Sequence, residues 1–154
     1  MKSATAKCKV FLDSSALFAG IFSAKGGARL ILKLAEGGLL ELSVSQQVLA
    51  ETERNLRNKA PKALSYYALL LNEVRINIIP DPTWEEIVPY IPLLPHKSDV
   101  PILVAALKAE VDYFVTLDKE HFLEVPGLSE KVGLPIGTPG DFIAWYKKRW
   151  LLQI

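Results

Sequence analysis

The sequence predicts a three-layer α/β/α sandwich around a central, mainly parallel sheet. Two observations carry that reading: short apolar runs that stop at polar residues, and amphipathic stretches of helical period between them. Their alternation is the pattern of strand–helix–strand units, which build parallel sheets covered by helices. The chain has 154 residues, 50% of them hydrophobic and 23% charged, which suits a single domain over 1–154 with a substantial core.

Each element has a local reason. Residues 9–12 are a buried strand, stopped by Asp13-Ser14-Ser15. A helix starts at Ala16 and runs to Phe22. Gly26-Gly27 opens a clearer one, with Leu30, Ile31, Leu34 and Ala35 on one face, and Gly37-Gly38 ends it. Residues 39–44 form the second strand. Ser45 caps a long helix that carries Val48, Leu49, Thr52 and Leu56 at helical spacing. Pro61 opens another helix, with Leu64, Tyr67, Ala68 and Leu71 on its inner face, followed by a strand at 75–79. Beyond the turn Pro80-Asp81-Pro82, residues 84–94 form a short helix interrupted by Pro89 and Pro92. Ser98-Asp99 and Pro101 start a helix bearing Ile102, Leu103, Ala106 and Leu107. Residues 112–117 are a strand ending at Asp118, and 134–137 are a last short strand. Thr138-Pro139-Gly140-Asp141 then caps a final helix that runs to Trp150.

Composition excludes several function classes. Eighteen basic and seventeen acidic residues leave a net charge of +1, which rules out a strongly basic nucleic-acid binder but not a local basic patch. The single cysteine, Cys8, rules out an internal disulfide or a cysteine-cluster zinc site. Placed just before the first strand with no adjacent base, it reads as a small buried filler. No apolar run reaches the roughly eighteen residues that a membrane span needs. Lys7, Lys9 and Asp13 interrupt the start before a leader's apolar region can form, so a cytoplasmic protein is the expectation. His96 and His121 have no metal-ligand spacing between them and read as surface-loop residues. Ser14 and Ser15 lack a Gly-x-Ser-x-Gly context, and no glycine-rich phosphate loop is present.

Four carboxylates remain, marked by position. Asp13 follows the first strand and Asp118 the fourth, and ligands of open parallel sheets bind beyond the carboxyl ends of strands. Asp99 sits at a helix start, where an acid is commonly a cap, and Glu51 lies on the flank of an apolar helical stripe, where an acid is commonly solvated. Two strand-end carboxylates at like ends repel unless a cation lies between them, and oxygen-only clusters suit magnesium or manganese.

In these positions the chain resembles the PIN domain, the small metal-dependent ribonuclease fold found in VapC-like toxins. Val10-Phe-Leu-Asp-Ser-Ser-Ala-Leu17 is similar to that family's first motif, and Ser45-Gln-Gln-Val-Leu-Ala-Glu51 to its second. Ser98-Asp-Val-Pro-Ile-Leu-Val-Ala-Ala-Leu107 and Asp112-Tyr-Phe-Val-Thr-Leu-Asp118 resemble the third and fourth, and Pro135-Ile-Gly-Thr-Pro-Gly-Asp-Phe142 the closing strand and helix start. The likeness spans residues 10–142.

The resemblance implies a PIN-like fold and an endoribonuclease, the toxin of a toxin–antitoxin pair. Asp13, Glu51, Asp99 and Asp118 would be the catalytic residues and hold one or two Mg²⁺ or Mn²⁺ ions. Ser15 and Thr116 would orient the carboxylates, and Glu120 falls where the family often has a further acid. Glu53 competes with Glu51, but a two-residue step turns a helix by about 200°, so only one of them faces the crevice. Arg54, Arg57, Lys59 and Lys62 form one candidate RNA rim, and Lys147, Lys148 and Arg149 another. Expected partners are RNA, a cognate antitoxin and a second copy of the chain, with no membrane. The homodimer is expected through Tyr66, Tyr67, Leu69, Leu70, Leu71, Trp145, Tyr146 and Trp150, since aromatic residues are enriched at interfaces. Two other readings differ at named residues. A haloacid-dehalogenase-like phosphatase needs an aspartate where Ser15 stands, and a non-catalytic PIN-like scaffold for RNA or protein binding would not need all four acids.

Overall fold

The computed structural model describes residues 6–151. The first five residues, part of the stretch read against a leader, lie outside them. Five parallel strands form one sheet in the order β3–β2–β1–β4–β5. They are β1 (Cys8–Leu12), β2 (Leu40–Ser45), β3 (Ile76–Ile79), β4 (Tyr113–Val115) and β5 (Ile136–Gly137). The predicted fold class is the observed one.

Among the described residues, seven α-helices lie between strands and an eighth follows the last: α1 (Ser14–Phe22), α2 (Gly27–Glu36), α3 (Gln46–Lys59), α4 (Leu64–Glu73), α5 (Trp84–Ile87), α6 (Val100–Lys108), α7 (Leu128–Val132) and α8 (Pro139–Arg149). The chain steps outward from β1 to β3, then reverses and crosses back to β4. With right-handed crossovers this puts α1 to α4 on one face and α6 on the other. α8 returns to pack on α2. The central strand is buried on both sides, with Val10, Phe11 and Leu12 fully inaccessible.

Local signals act where the sequence places them. α2 ends in a Schellman turn: Gly38, at φ +77°, and Leu39 donate to the Ala35 and Leu34 carbonyls. Thr138 and Asp141 form a reciprocal capping box at α8.

Tertiary packing changes several expected faces. Cys8 is the first residue of β1 rather than a residue before it, and it is fully buried. The inner face of α2 is Ala28, Ile31, Leu32 and Ala35, leaving Leu30 exposed. On α4 the buried stripe is Tyr67 and Leu70, continued by Val74, whereas Ala68 and Leu71 face outward. Steps of three and four residues from Tyr67 keep that stripe straight against the sheet. α5 stops after four residues because Pro89 and Pro92 supply no N–H, and the chain continues as a 3₁₀ segment, Val88–Leu93.

The aromatic residues of α8 belong to the interior. Tyr146 is buried, and Trp145 packs on Tyr113, Phe142 and Trp150. Tyr67 is buried as well. The excess of large apolar side chains that suggested an interface is therefore largely core, with Leu69 and Leu71 left at the surface.

Candidate active site

The strand order reverses between β1 and β4, and both expected strand-end acids lie there. Leu12 pairs with Val115, so Asp13 and Thr116 emerge side by side at the carboxyl edge of the sheet. The Asp13 amide donates to the Val115 carbonyl, continuing the ladder by one step. Crevices at such reversals are where open α/β sheets bind ligands.

Asp13 caps α1 and does more than cap. Its Oδ1 accepts from the Ala16 amide at 2.9 Å and from Ser15 Oγ at 2.7 Å, and its Oδ2 accepts a short hydrogen bond from Thr116 Oγ1. Ser15 Oγ in turn accepts from the Leu117 amide, and Thr116 Oγ1 from the Asp118 amide, both at 3.0 Å. The two hydroxyls thus tie β1 and the loop after β4 into one polar web.

Asp118 caps a π-helical turn, Lys119–Leu123, by accepting from the His121 amide at 3.0 Å. Asp99 is at the helix start as expected, yet its side chain makes no cap bond. It is buried, and its Oδ2 lies 2.6 Å from Nδ1 of His121. The same nitrogen is 3.5 Å from Asp118 Oδ2, so one imidazole joins two of the acids. Glu51 reaches toward the start of α1: Ser14 Oγ donates to Oε1 at 2.9 Å and Gln47 Nε2 to Oε2 at 3.1 Å. Gln47 also donates to the Ser98 carbonyl beside Asp99, which links α3 to the same crevice. Glu53 points elsewhere, to Arg57 at 2.7 Å on the exposed face of α3.

Burial pushes the Asp13 carboxyl up to about 6, against the hydrogen bonds from Thr116, Ala16 and Ser15, with the Asp118 charge adding to the rise. Burial also raises Asp99, opposed by His121 and assisted by Asp118. The donor set is all oxygen, and Asp118 raises both neighbours. An Asp118 charge that disfavours ionisation of both Asp13 and Asp99 suits a divalent cation among them.

The Asp13 shift has a stability consequence. Folded Asp13 holds its proton to about pH 6, against 3.8 for the ordinary group, so the native state binds more protons between those values. Metal-free stability therefore falls as pH rises from 4 through 6, by roughly 3 kcal/mol from this residue. Thermal melts across that window should show the fall in wild type and a flatter profile in Asp13→Asn. Parallel profiles would refute the assignment.

The other expected residues divide. Glu120 is exposed and meets His96 at 3.5 Å rather than a carboxylate. Arg57 is engaged by Glu53, while Arg54, Lys59 and Lys62 are exposed on or just after α3. α3 starts at the carboxyl edge of the sheet and runs away from it, so Lys59 is about 12 Å along the axis from Glu51. Lys147, Lys148 and Arg149 end α8, at the opposite end of the sheet from Asp13. Sequence reasoning missed His121, which is no free loop residue but sits between Asp99 and Asp118. It also missed exposed Lys97 and Lys119, which flank Asp99 and Asp118. The available signal was proximity: His121 is three residues past a strand-end acid, the N3 place of the turn that acid caps.

Fold and crevice together define an α/β protein with a carboxylate-lined site at its topological switch point. A family model described as the PIN domain matches residues 9–120, and the chain belongs to that family. Similar solved structures include VapBC2 from Rickettsia felis bound to a DNA fragment from their promoter. That match has 16% identity and a TM-score of 0.58, covering 83% of this chain and 96% of the other. A Pyrobaculum aerophilum protein matches at 17% identity and a TM-score of 0.58, over 89% of this chain and 88% of its own. VapC20 from Mycobacterium tuberculosis, described as a Sarcin-Ricin loop cleaving toxin, matches at 16% identity and a TM-score of 0.52, over 72% and 91%. No curated protein sequence matches the chain. Among the described residues no single helix is long and apolar enough to cross a membrane.

Proposed function

We propose that the chain is a divalent-metal-dependent endoribonuclease, the toxin of a toxin–antitoxin pair. The observation that supports this most is the mutual arrangement of Asp13, Asp99 and Asp118, in which the Asp118 charge raises both other carboxyls. Membership in the PIN family, generally one of metal-using ribonucleases, supports the same chemistry. A Mg²⁺ or Mn²⁺ ion held by Asp13, Asp99, Asp118 and Glu51 would supply an activated water and neutralise charge at the phosphate. Ser15 and Thr116 hold Asp13 through both its oxygens, and Gln47 and Ser14 hold Glu51. Lys97, Lys119 and Arg54 draw the RNA backbone toward an otherwise repulsive acidic site.

The likeness to VapBC2 supports an antitoxin as one protein partner. A second copy of the chain is the other, with exposed Leu69 and Leu71 on α4 as its apolar contact. The protein acts in the cytoplasm, where its RNA is.

The test is single-stranded RNA with purified protein in millimolar Mn²⁺ or Mg²⁺ and in chelator. Metal-dependent cleavage and a higher melting temperature with metal are expected, because the ion binds the native state and relieves repulsion. RNA binding without cleavage would favour the scaffold reading. No bound metal and no melting shift would remove the site.

A further inference from the structure

The two histidines lie together on the outer wall of the crevice. We propose that His96, Glu120 and His121 form a second cation site, distinct from the carboxylate crevice, that takes a transition ion, Zn²⁺, in preference to Mg²⁺. One ligand atom from each residue lies within 4.8 Å of the others. This proposal does not rest on the ribonuclease reading.

His121 is held as a ligand is held. Its Nδ1 is 2.6 Å from Asp99 Oδ2 and 3.5 Å from Asp118 Oδ2, so that edge of the ring faces the carboxylates. With the Nδ1 edge turned to the carboxylates, Nε2 is the nitrogen left to ligate an ion. This carboxylate–imidazole arrangement recurs behind metal-bound histidines. His96 lies directly over it, with ring centroids 3.9 Å apart and planes 17° from parallel. Its Nε2 is also 3.5 Å from Glu120 Oε1.

The donor set decides the ion. Two imidazole nitrogens and one carboxylate oxygen suit a borderline ion with water in the remaining position. Magnesium prefers oxygen ligands and its own water, which the neighbouring crevice offers. Near-parallel rings do not both aim a lone pair at one ion, so binding turns one ring out of the stack. His121 lies against Asp99 with its side chain 29% exposed, and His96 is 41% exposed, so His96 is the ring that turns.

Zn²⁺ titration of the full chain in excess Mg²⁺, by calorimetry and histidine-ring NMR, tests this. One Zn²⁺ per chain is expected, with the His96 and His121 ring signals both moving. His96→Ala and Glu120→Gln each weaken that binding at least tenfold. Both residues face solvent and neither substitution enters the core, so the fold survives, and either variant serves if the other does not express. Asp13→Asn, which weakens the carboxylate crevice, keeps Zn²⁺ binding. Wild-type affinity in both His96→Ala and Glu120→Gln overturns the proposal. So does loss of Zn²⁺ in Asp13→Asn with retention in His96→Ala, since the ion then sits among the carboxylates. Failure of Mg²⁺-dependent RNA cleavage with intact Zn²⁺ binding would strike the ribonuclease reading alone.

Discussion

Asp13→Asn and Asp118→Asn each lower RNA cleavage by orders of magnitude while the chain stays folded. The substitution removes a ligand charge at nearly constant volume. An asparagine in place of Asp13 can still accept from the Ala16 amide, so the cap of α1 persists, and the cost of burying a charge disappears. Metal-free stability should therefore hold or rise as activity falls, a combination that separates loss of chemistry from loss of fold. Glu51→Gln should follow the aspartates, because Glu51 is drawn into the crevice by Ser14 and Gln47. Glu53→Gln should be nearly silent, since Glu53 loses only an exposed pair with Arg57, of a kind contributing about 0.5 kcal/mol. Ser15→Ala and Thr116→Val should cost roughly 10–100-fold, the usual scale for groups that orient ligands. Cleavage rates and melting temperatures of this series decide the matter. Full activity in both Asp13→Asn and Asp118→Asn would falsify the mechanism.

Phe114→Ala should destabilise the protein by about 3–5 kcal/mol. Phe114 is fully buried on β4, stacked on Phe11 at 5.4 Å and in contact with Phe122 at 5.0 Å. Phe11 belongs to β1 and Phe122 to the turn that Asp118 caps, so one ring joins the central strands to the segment carrying Asp118 and His121. Its removal opens a cavity that close-packed neighbours fill only in part. Denaturant unfolding gives the stability, and the loss should be accompanied by weaker metal binding at the crevice. A cost under about 1 kcal/mol would show that the site collapses freely around the gap.

The helix and strand types were legible because they depend on short-range periodicity and caps. Ser45 does accept from the Val48 amide, and Gly37-Gly38 does end α2. Faces were less legible. Leu30 and Leu71 are as apolar as the residues that are buried, and only the direction of the packed neighbour turned Leu32 and Leu70 inward instead. Proline placement revealed an interruption at 89 and 92 but not that the chain would tighten into a 3₁₀ segment. The aromatic residues of α8 were visible as a cluster, yet a cluster looks alike in sequence whether it lines a core or an interface.

The sequence by itself determined that strands and helices alternate, and that Asp13 and Asp118 each follow a strand, since both properties are set within a few residues. It also carried the motifs by which the family is recognised. Only the tertiary structure decided which strands are neighbours: β4 lies beside β1 because the chain reverses after β3, and that pairing sets Asp13 against Thr116. It decided that Glu51 and not Glu53 turns toward the start of α1, a choice made by how α3 rotates on the sheet. It also brought His96 onto His121 and His121 onto Asp99, across 25 and 22 positions of sequence. Such contacts arise from where separate elements pack, and no local period records them.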